Sequence, residues 1–146
     1  MINAISMIQK IKYFFLLTVL FAFSQCQSEK KQRPTNALET GRTFIKASLD
    51  GDFETASSLL VADTQNIQLF TAYKEYYNRM TDEKKKHYKA ADYIINKFTD
   101  LNDSTTIINY SNDYMNKPME IKVVKVNNEW GVDFKYTYSG NLPMNP

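Results

Sequence analysis

From Asn36 to Met80 apolar residues recur at steps of three and four, and beyond Ala91 they alternate with polar ones, so the pattern predicts helices first and strands afterwards. In the first helix Leu38, Gly41 or Arg42, Ile45 and Leu49 form one stripe with Phe44 beside it, and Asn36 with Glu39 makes a capping pair at its start. The stretch "LDGDF" (49–53) is a tight stop. Gly51 suits a carboxyl-terminal cap, and Asp52 can cap a second helix over "FETASSLLV". A longer helix is predicted from Asn66 to Met80, with Ile67, Phe70, Tyr73, Tyr77 and Met80 on its buried stripe. Thr81 then opens "TDEKKKHYKAAD", either a short helix or a solvated turn.

Past that point "YIINKFTDL", "TTIINYSNDY", "MEIKVVKV" and "EWGVDFKYTY" have the period of two, the β-branched residues and the aromatics of half-buried strands. Turns fall at "NDS" (102–104) and at Asn127-Asn128, because asparagine accepts positive φ. Helices followed by an antiparallel meander predict an α+β fold in which amino-terminal helices pack on a curved antiparallel sheet. The expected domain runs over 36–140, with a tail at 141–146. Trp130 is expected to pack beneath the helices.

The amino terminus obeys a different rule. "YFFLLTVLFAF" (13–23) is unbroken by charge, follows Lys10 and Lys12, and precedes Ser24, Gln25 and the sole cysteine, Cys26. A positive region, a short apolar core and a processing site make an export signal over 1–25, with Met1 or Met7 as its start. Eleven helical residues span about 16 Å, roughly half the hydrocarbon thickness, which argues against a membrane-spanning helix. Phe23, Ser24, Gln25 and Cys26 resemble a bacterial lipobox of the looser Bacteroidota sort, with Gln25 larger than the small residue usual before the cut. The resemblance implies that Cys26 is acylated and tethers the mature chain to membrane. Residues 26–35 would then be a spacer, which holds no aliphatic side chain, and the expected location is the cell envelope, facing the periplasm or the cell surface.

Composition narrows the function further. All 16 acidic residues and all but two of the 18 basic ones lie from Cys26 onward, so that part has a net charge of zero. That removes the electrostatic argument for nucleic acid. One cysteine excludes a disulfide within the chain and any multi-cysteine zinc site. No Gly-rich phosphate loop, nucleophile elbow or His-x-x-x-His pair occurs. Neither a metal nor a cofactor is expected.

"ETGRTFIKASLDGDFETASSLLV" (39–61) and "VVKVNNEWGVDF" (123–134) resemble the opening helices and last hairpin of small nuclear-transport-factor-2-like domains of bacterial lipoproteins. The resemblance implies a cone whose sheet wraps the long helix and can enclose a pocket. Tyr73, Tyr77, Tyr110 and Asp133 are the candidates for contacting a ligand there, with Asp133 placed on the last strand. In enzymatic relatives an Asp or His in the cone moves a proton while tyrosines hold an oxyanion. Here His87 sits among lysines in "KKKHYK" and Asp92 precedes a strand, so no catalytic residue is assigned. "DST" (103–105) resembles an O-glycosylation acceptor of exported Bacteroidota proteins, with Ser104 as the modified residue. The expectation is a lipid-anchored, non-enzymatic binding module whose pocket or exposed sheet face takes a small apolar ligand or an envelope protein. Its rivals are an isomerase or dehydratase with a Tyr/Asp pocket, and a structural subunit whose cone is filled by side chains. The enzyme rival requires a buried carboxylate with a raised pKa among the tyrosines, and the structural one no pocket of ligand size together with an exposed apolar patch on the outer sheet face.

Overall fold

The computed structural model describes residues 32–138. The expected export signal over 1–25, Cys26, most of the expected spacer and the tail at 141–146 lie outside the described residues. Helix α1 spans Ala37–Asp50, capped at its start by the Asn36 side chain, which accepts from the Glu39 N–H at 2.9 Å. Its end is set by Gly51, whose φ of 71° is the left-handed conformation that glycine adopts without strain. Asp52 accepts from the Thr55 N–H and opens α2, Phe53–Ser58.

The second helix stops short of its expected end at Val61. Leu59 closes the helix as its cap, and the chain then bridges to the sheet at Leu60, with Val132 N–H donating to Leu59 O and Val61 N–H donating to Val132 O. Helix α3, Thr64–Arg79, buries Asn66, Phe70, Tyr73 and Tyr77. Ile67, expected on that stripe, is exposed, because Asn66 takes the inward place in the first turn. The charged stretch after Thr81 is a helix, α4, Asp82–Ala90, and Thr81 caps it.

Strands β1 (Tyr93–Asn102), β2 (Thr105–Asn112), β3 (Lys117–Val126) and β4 (Glu129–Val132) form an antiparallel sheet in the order β1-β2-β3-β4. The β3–β4 turn uses positive φ at both Asn127 and Asn128, as a two-residue hairpin requires. The fold is therefore α+β, with helices packed on one face of a four-stranded antiparallel sheet. Thr106, Ile108 and Tyr110 of β2 and Met119, Ile121 and Val123 of β3 point to that face. Gly41 lets α1 lie directly on them, since a Cβ there would overlap Ile108 Cδ1.

The fourth strand is shorter than the alternation of "EWGVDFKYTY" predicts. It ends at Val132, and Phe134–Tyr138 forms a short helix, α5. Asp133 is thus not a strand residue with Val132 and Phe134 on its opposite side. It turns the chain so that Phe134 enters the core, 1% exposed, where a continued strand would have carried it past the sheet. Trp130 is only half-buried and packs at the margin of the core, with the Lys125 ammonium 5.8 Å from its ring centre. It shares the helix-facing side of β4 with Val132 but lies nearer the open end of the hairpin, so its burial is partial.

Candidate functional site

Between the helices and the sheet, aromatic rings occupy the space in which a ligand was expected. Phe134 stands edge-on to Phe44 and Phe70 at centroid distances of 6.0 and 5.2 Å, and Phe53 packs against Phe70, Tyr73 and Tyr77. Edge-to-face contacts at these distances are the favoured aromatic geometry and close-pack the interior.

Tyr73, Tyr77 and Tyr110 belong to this core. The buried hydroxyls of Tyr73 and Tyr88 share a hydrogen bond of 2.7 Å, which satisfies both where water does not reach. Burial raises the phenols of Tyr73 and Tyr110 well above their ordinary range and pushes Tyr88 up to about 12, although the Tyr73 hydrogen bond pulls it back. All three are neutral phenols at ordinary pH, not poised acids. Tyr77 lies over Gly51, where any Cβ would meet its hydroxyl.

Asp133 is not brought to the tyrosines. Its side chain is 18% exposed and pairs with the ammonium groups of Lys122 at 3.4 Å and Lys135 at 3.9 Å. Lys135 also donates to Asp63 at 2.7 Å, and its backbone N–H donates to the Asn66 side chain at 2.9 Å. This node ties α3 to α5. Among the described residues no Asp or Glu is buried, no group of His, Cys, Asp and Glu could hold a metal, and no helix is long and apolar enough to cross a membrane. His87 and Asp92 are exposed. Ser104 is exposed in the β1–β2 turn, its hydroxyl and N–H both donating to Asn102 Oδ1.

The opposite face of the sheet is open. A groove of about 400 Å³ runs across β1, β2 and β3, lined by Leu101 and Ile107 at its apolar end and by Asn109, Glu120, Lys122 and Tyr136 at its polar end. A chain of side-chain hydrogen bonds organises that polar end. Asn96 donates to Asn109 Oδ1 at 2.9 Å, Asn109 donates to Glu120 Oε1 at 3.3 Å, and the Tyr136 hydroxyl donates to Glu120 Oε2 at 3.0 Å. The Lys122 ammonium sits 5.9 Å from the centre of the Tyr136 ring. Desolvation, and then the Glu120 carboxylate, raise the Tyr136 phenol and keep it a donor.

Such a wall offers an aliphatic shelf, fixed donors and acceptors, and two ammonium groups, counting Lys97 at the rim. It offers no nucleophile paired with a base, because its one carboxylate is already held on both oxygens. The sequence contained a signal for this face. Ile107, Asn109, Glu120 and Lys122 are the outward members of the alternation in β2 and β3, which places them on the exposed sheet face without singling them out as a site. Tyr136 was hidden by the strand expected at its position. No family model, curated protein or solved structure matches the chain.

Proposed function

We propose that this chain is a lipid-anchored, non-enzymatic binding module of the bacterial envelope, built on a nuclear-transport-factor-2-like cone and using the outer face of its sheet. The anchor is Cys26 behind its signal over 1–25. Support for the cone comes from the helix pair joined at Gly51-Asp52-Phe53, the long α3, and a meander that closes with the Asn127-Asn128 turn and Trp130.

One observation carries the choice of surface: the helix-facing interior is filled by aromatic rings, while the outer face holds a groove with polar groups already oriented by one another. Pre-oriented donors lose little entropy on binding, and an apolar shelf beside them suits a small amphipathic molecule. The enzyme reading fares worse, since it requires a buried carboxylate among tyrosines, and Asp133, whose Oδ1 is shielded from solvent, pairs with Lys122 and Lys135 instead.

Native mass spectrometry of the protein released gently from its host's envelope tests the proposal. A bound small molecule that is lost on Leu101→Asp and on Tyr136→Ala supports it. Retention of that molecule in both variants would move the site elsewhere.

A further inference from the structure

A second groove, of about 310 Å³, lies where the chain enters the domain. Arg33 pairs with Glu129 of β4 at 2.8 Å, which sets the entry point against the β3–β4 hairpin. Beside that pair stand two aliphatic side chains turned to solvent, Ile67 on the first turns of α3, 54% exposed, and Val126 at the end of β3, 47% exposed. Neither is needed by the core. The charged members of this groove, Arg33 and Glu129, neutralise each other, and the rest of its lining is aliphatic, hydroxyl, amide or glycine.

What covers this end follows from where the outside chain attaches. Cys26 precedes Arg33 by seven residues, a reach of about 25 Å at full extension. An acylated Cys26 therefore keeps this end of the domain within one small-domain width of the bilayer. A short tether raises the effective concentration of the surface to roughly the millimolar range, so a contact too weak to bind alone becomes populated. Aliphatic side chains flanked by neutralised charge suit a headgroup layer.

We infer that the end formed by Arg33, Ile67 and the β3–β4 hairpin rests on the lipid surface, with Ile67 and Val126 entering the headgroup layer and the outer-face groove left accessible. This rests on the reading of Cys26 as the lipidated residue.

Trp130, the only tryptophan, lies on the hairpin and reports on it. The mature protein is recovered from host membranes, the mass of its amino-terminal peptide is determined, and it is reconstituted into vesicles of phosphatidylethanolamine with some phosphatidylglycerol, with and without headgroup nitroxide. We expect about twofold quenching of Trp130 by the nitroxide lipid, abolished by Ile67→Asp with Val126→Asp. Ile67→Asp alone, at an exposed helical position, keeps the test if the double variant does not fold. An acylated peptide without quenching, or with quenching that the variants leave unchanged, would overturn this inference and leave the anchor standing. A peptide without acyl chains would overturn both. Trp130 shielded from quencher by a cross-linkable second copy would assign the groove to self-association and overturn the lipid contact alone.

Discussion

Asn66 shows how one polar side chain can organise a core. It is fully buried, accepts from the Lys135 N–H at 2.9 Å, and donates to Asp63 Oδ2 at 2.8 Å and Val61 O at 3.3 Å. Asn66→Ala strands the Lys135 N–H and should cost about 2 kcal/mol, seen as a lower urea midpoint at unchanged slope. The ion pair beside it sets an acid limit. The Lys135 hydrogen bond, followed by that of the Asn66 N–H, holds Asp63 below its ordinary 3.8, so the folded chain binds that proton less tightly than the unfolded one. Its stabilisation is complete above pH 3.8 and disappears as pH falls through the folded value. The stability gap between wild type and Lys135→Ala should accordingly narrow in acid. Tyr73, Tyr88 and Tyr110 act at the other end. Their folded values are raised by burial, so the folded state resists ionisation and stability falls as pH rises above 10. Tyrosinate absorbance should show these phenols ionising only with unfolding, while exposed tyrosines titrate reversibly before it.

Among the elements, junctions carry much of the specificity. Gly51 ends α1 at φ 71° beneath the Tyr77 ring, so Gly51→Ala incurs left-handed strain and a clash with the Tyr77 hydroxyl. A loss of about 1–2 kcal/mol in thermal or urea unfolding is expected, more than the same change at an unhindered cap. This junction was legible in the sequence because its interactions span three or four residues: Asn36 to Glu39, Gly51 to Ser48, Asp52 to Thr55. The ends of α2 and β4 were not. Leu59 is a good helical residue by local preference and the apolar run continues through Val61, but their backbone groups bond to Val132, more than seventy positions away. That pairing also covers the outer edge of β4. The β1 edge stays open among the described residues and is blunted by bulges near Asn96 and Leu101 and by Lys97.

Taken as a whole, the molecule separates a stabilising interior from an available exterior. Phe134 bridges Phe44, Phe70 and Tyr73, so Phe134→Ala should cost about 3–5 kcal/mol. Leu101→Asp on the outer face should leave the urea midpoint within about 0.5 kcal/mol of wild type while abolishing ligand binding. Periodicity determined the order of helices and strands, the α+β class, the caps and the hairpin turn, since each depends on neighbours within a turn or across a pleat. Composition determined the neutral charge from Cys26 onward and the absence of a disulfide framework. Tertiary structure alone decided that the tyrosines face a filled core, that Asp133 pairs with lysines, that Asn66 displaces Ile67 from the interior, and that Tyr136 completes a groove on the outer face. Those outcomes depend on which side chains reach a shared space first and fill it, a competition among residues far apart in the chain that no local pattern records.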